Sequence, residues 1–289
     1  MKTLGKVLLG IVGLLVLAVG VLFALSGRAL GKKYPVGSAA VAIPGDSASL
    51  ARGAHLVEAI VACRECHGDD LGGNPMPMGP LGTFVAPNLT SGRGGVAGAE
   101  VERLVLAIRH GVRPDSTPLV FMPAEAYAHL SDADLGAIIA YLRSAPAVDS
   151  VQPATSLGPI GRLILAKSPE QLIPAELVDH QATPPASVTP ERSLAYGQYL
   201  ANIGGCTSCH LPTLKGGLEL GPPGTPKTAD LSATGRVRQW SEEQFREALR
   251  TGVRPDQTTI NPFMPWRWYR HMTDDEIGAL YDFMRSKTE

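Results

Sequence analysis

Val7 to Ser26 form a run of twenty residues without a charge, preceded by Lys2 and Lys6. A helix of about 20 apolar residues crosses the hydrocarbon layer of a bilayer. The apolar part of a cleaved signal peptide is usually about 7 to 15 residues. The longer run therefore reads as a retained anchor, although Ala24-Leu25-Ser26 would pass as a cleavage site. Beyond it, short amphipathic helices alternate with long Gly- and Pro-rich stretches. Val57, Ile60 and Val61 share a face just before Cys63, and Tyr196, Tyr199, Leu200 and Ile203 fall at i, i+3, i+4, i+7 before Cys206. Val101, Leu104, Val105 and Ile108 make a second stripe, matched by Phe245, Ala248 and Leu249 behind an N-cap at Ser241. Leu135, Ile138, Ile139 and Leu142 make a third, matched by Ile277, Leu280, Tyr281 and Met284. No strong period-two alternation interrupts these helices, so the expected fold class is all-α.

The matches are one unit written twice. Gly-Val-Arg-Pro-Asp closes the middle helix at 111–115 and again at 252–256, an offset of 252 − 111 = 141. Gly ends a helix in the left-handed region and Pro prevents its continuation. Phe-Met-Pro follows at 121–123 and 263–265, with a Tyr five positions after each Met, Tyr127 and Tyr269. Ser131-x-x-Asp134 and Thr273-x-x-Glu276 then give the spacing of a capping box, with Asp the weaker variant of its last position.

Each unit opens on the same pentapeptide pattern, Cys63-Arg64-Glu65-Cys66-His67 and Cys206-Thr207-Ser208-Cys209-His210. C-x-x-C-H is the attachment signature of c-type haem. Two thiols three positions apart can each form a thioether to a haem vinyl group, and the adjoining His67 or His210 then lies under the iron as proximal ligand. All four cysteines of the chain are spent on these motifs. A four-cysteine zinc site is the plainer reading of two C-x-x-C pairs. Structural zinc pairs, however, lie about 12 to 20 residues apart, whereas here the separation is 206 − 66 = 140. A thioredoxin-like dithiol would need only one pair beside a βαβ pattern. Neither alternative explains a His after both pairs.

A haem iron with one His needs a second axial ligand or stays open. Met122 and Met264 are the candidates, at matched distances of 122 − 67 = 55 and 264 − 210 = 54 from their histidines. A thioether is a soft ligand, and His/Met ligation raises the potential into a range useful for electron transfer. Met is more often core filler, and Met76, Met78, Met272 and Met284 are read that way. His55, His110, His129, His180 and His271 have no counterpart in the other copy and read as surface or satisfied side chains. Arg113 and Arg254 recur in the repeat. Each could pair with a haem propionate or with its neighbour Asp115 or Asp256. Trp266 and Trp268 read as core.

The chain has 289 residues, room for about two ordinary domains. A net charge of −1 argues against a nucleic-acid binder. Aromatics make up only 6%, few for self-sufficient cores, and two haems would supply the missing apolar bulk. The long loops 68–98 and 211–239 exceed simple connections and suit segments that wrap a prosthetic group. The expected organisation is an anchor at 1–33, a tether at 34–47, a first domain at 48–146, a linker at 147–188 and a second domain at 189–289. The linker is rich in Pro, with an apolar patch from Leu157 to Leu172 that could pack between the domains.

With Arg52-Gly53-x-x-Leu56-Val57, Pro87-Asn88-Leu89-Thr90, the doubled Gly-Val-Arg-Pro-Asp and Phe-Met-Pro, and Leu130-Ser131-Asp132, the chain resembles the cytochrome c subunits of bacterial periplasmic alcohol, aldehyde and gluconate dehydrogenases. The resemblance covers about residues 48–145 and 188–287. It implies two class I cytochrome c folds, two covalent haems, and electron delivery from a dehydrogenase to quinone or the respiratory chain. Many such subunits carry three haem motifs, where this chain has two. The flanking charges, Lys2 and Lys6 against Arg28, Lys32 and Lys33, orient the anchor poorly. Bacterial c-type cytochromes acquire haem outside the cytoplasmic membrane, so the resemblance implies a single-pass inner-membrane protein with its bulk in the periplasm. The alternative is a dihaem redox enzyme with one open or labile iron. A peroxidase-like enzyme would usually need a bis-His haem beside the open one. A thiosulfate dehydrogenase-like enzyme would need a spare cysteine as ligand.

Overall fold

In the computed structural model the charge-free run lies inside α1 (Lys2–Leu30), a helix whose large apolar side chains mostly stand exposed. The structure describes residues 2–37, 40–219 and 225–287. Met1, residues 38–39 of the expected tether, 220–224 of the second long loop, and 288–289 lie outside the described residues. The tether is more firmly packed than its small polar residues suggest. Tyr34 and Val41 are buried, the Tyr34 N–H donates to Ser116 O, and its hydroxyl donates to Glu176.

Asp46 caps α2 (Ser47–His55), accepting from the Ser49 N–H at 2.9 Å. The helix continues into a π turn, Leu56–Ile60, whose apolar side chains are all buried. The first haem motif is α3 (Cys63–His67). A hairpin follows, β1 (Asn74–Pro77) with β2 (Gly82–Ala86), and a short third strand, β3 (Ser156–Leu157), extends it antiparallel. This small sheet departs from the all-α expectation. Two of the four residues of β1 are Pro, β3 has two residues, and the five of β2, Gly-Thr-Phe-Val-Ala, do not alternate apolar with polar. Then come α4 (Val101–His110), α5 (Ala124–Tyr127) and α6 (Asp132–Ser144). The linker supplies α7 (Pro159–Lys167). The second unit repeats the plan with α8 (Leu194–Ile203), α9 (Cys206–His210), α10 (Glu242–Thr251), α11 (Trp266–Tyr269) and α12 (Asp274–Ser286).

In each unit the helix before the haem motif crosses the terminal helix at a glycine. A Cβ on Gly53 would lie 2.0 Å from Ala137 O, and one on Gly197 would lie 2.0 Å from Ala279 O. The middle helices end as expected on left-handed glycines, Gly111 at φ 64° and Gly252 at φ 72°. Full capping boxes form at Ser241–Gln244 and Thr273–Glu276. At Ser131 only half a box forms, since the hydroxyl accepts from the Asp134 N–H while the Asp134 carboxylate turns away to Arg52.

The linker packs on the first unit and on the end of α1, not between the two units. Leu165, Leu172, Ile173 and Ala175 join Tyr34, Phe84, Leu106 and Val112 in one apolar cluster, with Ala29 and Leu30 of α1 against it. The two units meet each other directly through exchanged contacts. Asp134 takes Arg52 from its own unit (2.9 Å) and the Tyr199 hydroxyl from the other (2.7 Å). Glu276 takes the Tyr196 hydroxyl from its own unit (3.1 Å) and His55 from the other (2.8 Å). The haem motifs take part as well. Arg267 and the Trp268 indole N–H donate to Glu65, while Ser208 lies beside Glu125.

Candidate functional site

A residue in the left-handed region opens each haem motif, Ala62 at φ 47°, ψ 41° and Gly205 at φ 74°, ψ 9°. The turn lets the Cys helix double back from the preceding helix. A buried tyrosine hydroxyl holds the peptide just before it: Tyr127 donates to Val61 O at 2.7 Å, and Tyr269 donates to Gly204 O at 2.5 Å. These are the tyrosines found five residues after each Met.

Each motif faces a largely apolar cavity. Cys63, Cys66, His67 and Met122 line the first, with Phe84, Leu104, Ile108 and Phe121. Cys206, Cys209, His210 and Met264 line the second, with Trp240, Phe245 and Leu249. Every sequence-predicted site residue thus lies on one of two walls, sorted by repeat. Met76 also lines the first cavity, and Met272 and Met284 the second, so these side chains read as filler also reach the haem sites.

The two motif histidines are held alike. His67 Nδ1 lies 2.8 Å from Pro87 O and His210 Nδ1 2.7 Å from Ala229 O. A carbonyl oxygen only accepts, so each Nδ1 carries the proton and each Nε2 keeps a free lone pair. Burial also lowers both imidazole pKa values, which favours the neutral ring a metal requires. Burial pushes the Cys63 and Cys206 thiols up to about 12, a setting that suits uncharged thioether sulfur and disfavours thiolate. The donor set, the apolar walls and the tautomers therefore fit a covalently held haem in each cavity.

Arg113 and Arg254 line the cavities but spend donors on their own loops. Arg113 Nη1 donates to Pro118 O, and Arg254 Nη1 donates to Thr259 O at 2.6 Å. Asp115 and Asp256 instead accept from the hydroxyls of Thr117 and Thr258. Trp266 is half-buried and packs over Gly252, whereas Trp268 reaches the other unit. Of the unmatched histidines, His55 bridges the two units, and His110 and His180 pair with each other.

Residues 48–142 match the family of subunit III of cbb3-type cytochrome c oxidase, and residues 194–288 match the cytochrome c family. The chain carries two cytochrome c domains. It is accordingly a dihaem c-type cytochrome, with Cys63 and Cys66 in the attachment positions of one haem c and Cys206 and Cys209 in those of the other. The dihaem cytochrome is 30% identical over 118 residues to the fructose dehydrogenase cytochrome subunit of Gluconobacter japonicus (38% of this chain, 24% of that protein). It is 32% identical over 100 residues to the cytochrome c subunit of the quinone alcohol dehydrogenase of Gluconobacter oxydans (32% and 21%). The gluconate 2-dehydrogenase cytochrome c subunit of Pantoea cypripedii is 29% identical over 271 residues (83% and 60%). The matched stretches thus span less than two thirds of each of these relatives.

Proposed function

We propose that this cytochrome is a membrane-anchored electron carrier with no substrate of its own. It takes electrons from a periplasmic dehydrogenase or another respiratory donor and delivers them to the respiratory chain. Residues 1–33 anchor it in the inner membrane, 34–47 tether it, and domains 48–146 and 189–289 stand in the periplasm, joined by 147–188. The observation that carries this reading is the pairing of one His and one repeat-matched Met on the walls of each cavity, His67 with Met122 and His210 with Met264.

The bound haem supplies a one-electron couple. The protein does the rest. His67 and His210 present Nε2, oriented by the carbonyls of Pro87 and Ala229. Met122 and Met264 would hold the haem iron through soft sulfur, which would favour its reduced state. Phe84, Phe121, Phe245 and Leu249 keep the cavities apolar. An iron held by both the His and the Met would have no position free for a substrate, which is why the reading is carrier and not enzyme.

The test is carbon monoxide binding to the reduced holoprotein at neutral pH. The parent should bind none. Met122→Ala should open one haem and Met264→Ala the other, while Met76→Leu should open neither. Stoichiometric binding by the parent would bring the enzyme reading forward. Met122→Ala that stayed closed would remove Met122 as the ligand.

A further inference from the structure

The linker helix α7 is placed where a membrane would be. It packs on the last two turns of α1, where Ser26 is fully buried and Ala29 and Leu30 are half-buried. Arg162 of α7 has its guanidinium 3.9 Å from the centre of the Phe23 ring, and its Nη1 donates to Ser26 Oγ at 3.2 Å. Phe23 lies inside the charge-free run and Ser26 ends it. A guanidinium is costly in hydrocarbon and stable at headgroup level, where its stem can lie along apolar surface. Arg162 therefore marks the bilayer boundary, and marks it on α7.

The outward face of α7 agrees. Ile160 and Leu163, at i and i+3, are 44% and 43% exposed, and Lys167 one turn beyond is exposed. The inward face is fixed, because Gly161 lies so close to Leu81 O that a Cβ would come within 2.3 Å, and Leu165 is buried. The helix cannot rotate to hide Ile160 and Leu163. Two exposed aliphatics and a lysine, continuous with the end of an apolar span, suit a helix lying in the interfacial plane.

We propose that α7 is a second membrane element, lying in the headgroup boundary with Ile160 and Leu163 toward the acyl chains, and that it seats the first cytochrome domain on the bilayer. This rests on the reading of α1 as a retained anchor. It has a consequence for the order of the haems. Leu165 and Leu30 belong to the same apolar cluster as Phe84 and Phe121, and those two rings line the first cavity. The haem site of Cys63 and His67 is thus the membrane-proximal one, and a lipid-soluble redox partner would meet it before the site of Cys206 and His210.

The full-length holoprotein, in vesicles of phosphatidylethanolamine and phosphatidylglycerol, can be exposed to a lipid-soluble diazirine and photolysed, and the adducts mapped by mass spectrometry. Adducts are expected on α1 and on the segment holding Ile160 and Leu163. The segments holding Val151 and Leu177, equally apolar and 66% and 57% exposed, should stay unlabelled. The double variant Ile160→Glu, Leu163→Glu should lose the α7 adducts and keep those on α1. Adducts on α1 with none on α7, or α7 labelled no more than the Val151 and Leu177 segments, would overturn the proposal alone. An α1 that is unlabelled or missing from the mature chain would overturn the anchor reading beneath it. Protection of α7 by a protein partner would show as the first of these outcomes.

Discussion

The two haem motifs offer a matched exchange at their opening turns. Ala62 and Gly205 occupy the same left-handed position, at φ 47° and φ 74°. A residue with a Cβ pays about 1 to 2 kcal/mol there, and Gly almost nothing. A Cβ built on Gly205 meets nothing within 4 Å, so a substitution at that site reports the backbone term without a clash. Gly205→Ala should therefore destabilise the second haem motif by about 1 kcal/mol, with a further few tenths recovered from reduced freedom of the unfolded chain. Ala62→Gly should stabilise the first motif by a comparable or slightly smaller amount, because Gly relieves the turn but loosens the unfolded chain.

Native-state hydrogen exchange on the holoprotein, read peptide by peptide, separates the two motifs where a global unfolding curve would merge them. The expected result is faster opening of the peptide around α9 in Gly205→Ala and slower opening of the peptide around α3 in Ala62→Gly, each without change in the other domain. The covalent links at the cysteines do not cancel the effect, since they join side chains and leave the φ angle of the preceding residue free. If Gly205→Ala left exchange at α9 unchanged, the left-handed turn would not be part of the native motif. The Tyr127 and Tyr269 hydroxyls would then pin no such turn.

Gly197→Ala should cost about 3 kcal/mol in urea unfolding of the second domain, because the new Cβ would lie 2.0 Å from Ala279 O and force α8 off α12; a change under about 1 kcal/mol would show that the crossing is loose. His180 Nε2 faces Ala175 O and so carries a proton, which leaves His180 Nδ1 to accept from His110 Nδ1 at 3.1 Å. Burial, with His180 and Arg109 nearby, lowers His110 to about 4, so the unfolded chain binds more protons between that value and the ordinary imidazole pKa of about 6.5, and stability should fall as pH drops through this window. His110→Gln should flatten that limb of the pH–urea profile, and a difference from the parent that did not change with pH would refute the assignment.

The repeat was legible because what holds a haem is local. A cysteine pair, its His, a glycine stop and a capped terminal helix each occupy a few adjacent residues, and the same order at a fixed offset exposes them twice. What escaped depends on pairs far apart in the chain. The β1 strand, Asn74-Pro75-Met76-Pro77, has sequence that argues against a strand, and its partner β2 and the linker segment β3 provide the pairing. The linker's apolar patch names no partner in sequence, and only the fold brings Arg162 to Phe23 and Ser26. Local pattern also could not show that a tether of small residues buries Tyr34 and Val41.

The contact between the two domains left a signal that the repeat comparison passes over. Where the copies agree, the shared residues line the domain's own cavity: Cys, His, Met, the Tyr five positions on. At several positions where they disagree in type, the residues meet across the contact. Glu65 stands where the second copy has Ser208, and Glu125 and Ala126 where it has Arg267 and Trp268. In the fold Glu65 faces Arg267 and Trp268, and Ser208 faces Glu125. His55 and Tyr199 are likewise equivalents, and each crosses to the other domain's carboxylate, Glu276 or Asp134. A two-fold contact between identical copies would make each such pair twice with the same chemistry. Once the copies share one chain, each side can diverge as long as its counterpart across the contact diverges with it. Complementary mismatches within a repeat are therefore the mark of the surface on which the two domains pack.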